Sequence, residues 1–115
     1  MPARKAPPPA RFRATVHGTI FGERERVLRT VESGDPLTLI PDPPMEEAPG
    51  VWVHVRSGEP LGHLPREIGK WLAPWILAGG RTEARVLRVS GPETPSWRRL
   101  LVEVRCTGEP MSAKS

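Results

Sequence analysis

Apolar and polar residues alternate along much of this chain, and over one stretch the apolar ones recur at helical spacing instead. In residues 50–56, GVWVHVR, the side chains of Val51, Val53 and Val55 fall on one face and those of Trp52, His54 and Arg56 on the other, the period of a half-buried strand. Ser57-Gly58 then suits a two-residue hairpin turn, which sets Arg56 opposite Glu59, Val55 opposite Pro60 and Trp52 opposite His63. Pro65 fits the first position of a helix, because its missing N–H would have no partner there. Ile68, Trp71, Leu72, Trp75 and Ile76 follow at spacings of three and four and form one apolar stripe. Pro74 predicts a kink or two short helical pieces, and Gly79-Gly80 the end.

The same reading extends in both directions. Phe12, Ala14 and Val16 alternate with Arg13, Thr15 and His17, a first strand ending near residues 18–21. Val27, Leu28 and Val31 fit one short helix over residues 23–33, with Gly34 as its left-handed cap. Leu37, Thr38 and Leu39 make a second strand, stopped by Pro41-Asp42-Pro43-Pro44 at the start of an acidic, proline-bearing loop over residues 41–49. In residues 82–89 Ala84 and Val86 point inward, then Leu87 and Val89; the change of phase predicts a bulge near Val86-Leu87. Leu100, Val102, Val104 and Cys106 share one face of a last strand, with Leu101, Glu103 and Arg105 on the other. The sum is mostly β: a small OB-like or SH3-like six-stranded barrel with one or two short helices.

With 115 residues, 15 of them proline and 11 glycine, the chain holds one turn-rich domain. Its expected organisation is a disordered Pro/Arg-rich arm over residues 1–11, a single domain over 12–106 and a flexible tail over 107–115. The net charge is +4, yet residues 13–106 carry thirteen basic side chains against twelve acidic ones. Overall basicity is therefore no argument for nucleic acid, and placement of the charges decides. A single cysteine, Cys106, excludes an internal disulfide and fits a reducing compartment. With no signal core and no apolar stretch approaching about 18 residues, the expectation is a cytoplasmic protein without membrane contact.

Catalytic chemistry finds no foothold. His17, His54, His63 and Cys106 lack metal-ligand spacing, no glycine loop with its lysine cradles a phosphate, and no serine sits in a nucleophile elbow. Glu46-Glu47 reads as a solvated loop pair. The expectation is a non-enzyme with no metal and no cofactor. Trp71 and Trp75 lie on the helical stripe and read as core. Trp52, opposite three valines, is covered either by the domain itself or by a ligand. Trp97, followed by Arg98-Arg99, either caps a barrel end or stacks on bases beside phosphates. Arg24 and Arg26 alternate with Glu23 and Glu25, as in a charge-balanced turn.

Three stretches, HGTIFGERE (residues 17–25), SGDPLTLIPDP (33–43) and GEPLGHLPREIGKWLAPWILAGG (58–80), resemble the HIRAN family, small modules found alone in bacteria and at the front of some eukaryotic DNA-remodelling helicases. The resemblance implies a non-catalytic module that binds single-stranded DNA, in some members at a free 3′-end, and supports repair or replication-fork processing with a partner helicase or nuclease. It implies DNA-binding roles for Arg24, for His63 in the Gly62-His63-Leu64 turn, for Arg66 at the helix start and for Trp97, with Arg26 and Trp52 beside them. Arg66 also projects from a helix N-terminus, where the dipole favours phosphate. The chain departs from the family, whose members usually have two aromatics beside the arginine, in that Glu25 and Arg26 follow it here, and in having Met45-Glu46-Glu47-Ala48-Pro49-Gly50-Val51-Trp52 in place of an Asn/Asp-rich loop before the third strand. Those departures favour general single-strand binding over end recognition. An adaptor for another protein, with DNA binding lost, is the alternative, since small barrels serve both roles. The sequence does not specify oligomeric state.

Overall fold

The computed structural model describes residues 9–43, 45, 47 and 50–108. Most of the expected arm (residues 1–8), the end of the expected tail (109–115) and Glu46 lie outside them. Six strands form one antiparallel sheet: β1 (Arg11–Thr15), β2 (Pro36–Pro41), β3 (Val51–Val55), β4 (Pro60–His63), β5 (Arg81–Val89) and β6 (Leu100–Thr107). Their order is β1-β6-β5-β2-β3-β4. The sheet curls until its two edges meet just beyond β1, where His17 and His63 exchange both backbone hydrogen bonds, at 2.8 and 3.0 Å. The fold is mostly β, a curled half-barrel consistent with an OB-like barrel. Ala10 and Arg11 already belong to the sheet: the Cys106 N–H donates to the Ala10 carbonyl (2.9 Å), and Arg11 lies opposite Arg105.

Inward positions of the strands, with Val16 just beyond β1, fill the interior with Leu39, Val51, Val53, Leu61, Val86, Leu100, Val102 and Val104, all buried. Two helices cover it. Helix α1 (Arg24–Leu28) packs on β4 through Val27 and Leu28, and α2 (Arg66–Leu77) packs on β2 and β3 through Leu72 and Ala73. Trp71 and Trp75 pack partly buried against this core, Trp71 meeting Phe12 edge-on with ring centroids 5.4 Å apart.

The bulge in β5 is where the change of phase puts it, with a register shift between Val86 and Arg88. Trp52 faces His63 as expected, but by a different route. The hairpin turn is longer than two residues. Val55 N–H donates to the Glu59 carbonyl around Arg56-Ser57-Gly58, with Gly58 in the left-handed region at φ 98°, and this would displace every later pair by one. An extra residue in β4, Leu61, restores the register, since His54 pairs with Pro60 and Val53 with Gly62.

Three other expectations change. The helix foreseen over residues 23–33 ends at Leu28, because the Thr30 hydroxyl donates to the Val27 carbonyl (2.6 Å) and Gly34 N–H is drawn onto β5, donating to the Val86 carbonyl (2.7 Å). Gly34, at φ 93°, therefore serves this junction and not a helix cap. Pro74 does not divide α2, which runs through it as one element; Pro74 and Lys70, whose carbonyl it cannot satisfy, are both exposed, where water can serve instead. Gly79 and Gly80 end α2 as expected, with N–H groups donating to the carbonyls of Ile76 and Trp75, the paired bonds of a left-handed helix stop. Strand β2 continues to Pro41, opposite Val51, and the chain turns only beyond it.

Candidate functional site

Where the sheet edges meet, side chains from three separate stretches, residues 17–24, Trp52 and residues 62–63, are held together. Gly18 turns the chain out of the seam at φ 74°, and a Cβ there would lie 3.2 Å from Arg24 Nη1 and 3.3 Å from His63 Cδ2. A side chain there would press on both, and the left-handed φ itself favours glycine. Arg24, the first residue of α1, donates from Nη1 to the Gly18 carbonyl (3.0 Å), and its guanidinium carbon lies 5.1 Å from the Trp52 ring centroid and 5.9 Å from that of Phe21. No carboxylate pairs with it among the described residues. The cation is thus fixed between two aromatic faces, with its remaining N–H groups uncommitted to an ion pair.

Trp52 and His63 lie opposite each other on β3 and β4 with ring centroids 5.7 Å apart, edge to face. Both are oriented from behind. The Trp52 indole N–H donates to Asp42 Oδ1 (3.1 Å), while Asp42 Oδ2 accepts from Gly50 N–H (2.9 Å), so one carboxylate pins both the ring and the loop that precedes it. His63 Nδ1 lies 3.0 Å from the Leu64 carbonyl, which can only accept, so Nδ1 carries the proton. A neutral His63 then offers Nε2, the atom beside Gly18, as an acceptor. Gly62 makes the edge-to-edge approach possible: a Cβ there would collide with the His17 carbonyl oxygen. His17 stands at the seam as well, its ring centroid 6.0 Å from that of His63.

Trp97 belongs to a single helical turn, Ser96–Arg98, just before β6. That turn is fastened to the seam from the far end of the chain, the buried Thr19 hydroxyl donating to the Ser96 carbonyl (3.3 Å). Phe21, against which Arg24 lies, is 62% exposed, and Trp97, in the turn tethered through Thr19, is 53% exposed. Arg98 lies 5.7 Å from the Trp97 ring centroid.

Of the six residues singled out in sequence, Arg24, Trp52 and His63 meet directly, while Trp97 makes no ring contact with them and lies in a turn whose Ser96 carbonyl accepts from Thr19. Arg66 is exposed three residues beyond His63 and makes no hydrogen bond or ion pair with the cluster among the described residues. Arg26 is diverted: its guanidinium is shared by Glu23 (2.7 Å) and Glu59 (3.1 Å), and those hydrogen bonds, Glu23 first, raise its pKa above the ordinary value. It lines a shallow groove of about 280 Å³ with Phe21, Arg24 and Glu59, as a cation already partnered. Asp42, Phe21 and His17 are the members that sequence reasoning missed. Phe21 supplies an aromatic three residues before Arg24.

Among the described residues no three His, Cys, Asp or Glu side chains converge, and no helix is long and apolar enough to cross a membrane. Burial pushes the Cys106 thiol up, the direction opposite to that of an activated nucleophile.

The sequence matches no protein-family model and no curated protein sequence. The fold is similar to a crystal structure of a protein from Lactobacillus plantarum, determined by a structural genomics consortium, with a TM-score of 0.66 and 17% identity over 84% of this chain and 92% of the other. At that identity the likeness is one of fold.

Proposed function

We propose that this protein is a HIRAN-like, non-catalytic module that binds single-stranded DNA at the seam, in support of repair or replication-fork processing with a partner helicase or nuclease. The observation that carries the proposal is the Arg24 guanidinium fixed between Phe21 and Trp52 beside His63. A phosphate meets donors that are already oriented, and the exposed faces of Phe21 and Trp97 offer the stacking that single-strand binders use without sequence preference. The acceptor on His63 suits a sugar or terminal hydroxyl. Arg66, at the start of α2, adds a cation on the strand's path.

The test is fluorescence anisotropy with a short labelled oligothymidylate at low salt. The Arg24→Ala/Arg66→Ala double variant, shown to be folded by circular dichroism, should lose the shift; binding equal to that of the parent protein rejects the assignment.

A second reading, a protein-interaction adaptor, draws on the exposure of Ile20 (46%), Phe21 and Trp97 around the seam, an apolar rim that another chain could cover. Tryptophan fluorescence separates the two. Quenching on titration with single-stranded DNA supports the first; an unchanged spectrum, with stable capture of one protein partner that depends on Phe21, supports the second.

A further inference from the structure

The domain body is nearly neutral, but its charges are not evenly spread. The outward positions of β1, β6 and β5 form aligned rows across three strands: Arg81 beside Thr107; Glu83, Arg105 and Arg11; then Arg85, Glu103 and Arg13; then Arg88 beside Leu101. Six arginines and two glutamates therefore share one face, and all six arginines are exposed. Of the two carboxylates, Glu103 is 5% exposed and committed to Arg85, which donates to it through Nε and Nη2 at 3.2 and 3.0 Å. None of Arg11, Arg13, Arg81, Arg88 and Arg105 makes an ion pair among the described residues.

Two details argue against an indifferent solvated surface. Arg11 and Arg105 are directly opposed, an arrangement of like charges that costs stability in a sheet, while Glu83, opposite Arg105 on its other side, is not ion-paired to it. The cations are all arginine, whose planar fork matches phosphate in a way that lysine does not. The face also leads to the seam. At its upper end Arg88 and Leu101 adjoin the Val89–Leu100 pair, the Val16 N–H donates to the Leu100 carbonyl, and the turn bearing Trp97 and Arg98 enters β6 there.

We infer that the outer face of β1, β6 and β5 is a second phosphate-binding surface, which takes the backbone of a single nucleic-acid strand continuing from the seam. The inference rests on the seam as a DNA site for its direction, though not for its charge. The seam holds one end of the strand by stacking and an oriented guanidinium. The sheet holds the continuation by charge alone, without reading bases.

The experiment compares two oligothymidylates, one of about 5 nucleotides, enough for the seam, and one of about 15 nucleotides, which reaches the sheet. The Arg13→Gln/Arg88→Gln/Arg105→Gln variant spares Arg85 and its buried partner, and circular dichroism checks its fold. It should bind the short strand as the parent does and the long strand about tenfold more weakly at low salt. Its slope of log affinity against log salt for the long strand should be smaller by about 2, three phosphate contacts at about 0.7 each. Equal long-strand affinity and slope in variant and parent overturn the inference and leave the seam reading intact. If Arg24→Ala/Arg66→Ala leaves short-strand binding unchanged, the seam reading fails, and with it the direction of the strand. Competition by polyglutamate as effective as that by DNA, charge for charge, also overturns the inference, because the face would then be a general anion surface.

Discussion

The seam and the outer face of β1, β6 and β5 both present arginine, and they hold it in opposite ways. At the seam one guanidinium is immobilised by two aromatic rings and a backbone carbonyl, with an imidazole beside it. On the sheet five guanidinia stand without ion pairs among the described residues, spaced by strand register and free to move. The first arrangement has already lost its conformational entropy on folding, so contacts made there are oriented at little further cost. The second keeps that entropy until something binds, and its attraction is long-ranged and screened by salt. A fixed donor selects geometry, whereas a mobile field supplies association rate and salt-sensitive affinity.

Ways to break this contrast begin with the seam's closure. Gly62→Val puts a side chain against the His17 carbonyl and Val16, so the sheet edges cannot meet. Denaturant unfolding should show a loss of about 2–3 kcal/mol, in the range of overpacked cores, together with loss of short-strand binding. Next is Asp42→Ala, which strips the acceptor from the Trp52 indole and from Gly50 N–H. A cost of about 1–2 kcal/mol is expected, with a shift of tryptophan emission as Trp52 is released.

These two positions also show how far the sequence could be read. Alternation and the change of phase at Val86-Leu87 were legible because they are local, and the strands and the β5 bulge follow from them. The Trp52–His63 pairing came out as expected because two departures cancel, a longer turn and an extra Leu61. Asp42 was hidden: an aspartate among prolines reads as a loop, and nothing local says that its two oxygens will find Gly50 and the Trp52 ring. The Arg26–Glu59 ion pair is hidden for a related reason, since Glu59 lies 33 positions on. The arginine face was invisible to a charge count, because the acidic residues that balance it fall elsewhere.

Smaller effects sharpen the contrast. Arg24→Lys keeps the charge but not the planar cation that stacks between Phe21 and Trp52. Short-strand affinity by anisotropy should fall about fivefold, as expected for a partly solvated cation–π contact and a lost fork. The smallest effect belongs to the sheet. Arg11→Gln relieves the direct opposition to Arg105, so thermal unfolding at low salt should show a gain of about 0.3 kcal/mol, vanishing at high salt.

The most direct test uses the four tryptophans as reporters in one spectrum. Trp52 stands at the seam and Trp97 in the turn tethered through Thr19, whereas Trp71 and Trp75 pack against the core from α2 and serve as internal controls. On titrating nitrogen-labelled protein with a short oligothymidylate, the indole N–H signals of Trp52 and Trp97 and the amide of Gly18 should move together and saturate, with Trp71 and Trp75 unmoved. Saturable binding that shifts α2 while leaving Trp52, Trp97 and Gly18 in place, or no shift at low salt, would contradict the assignment of the seam as the DNA site.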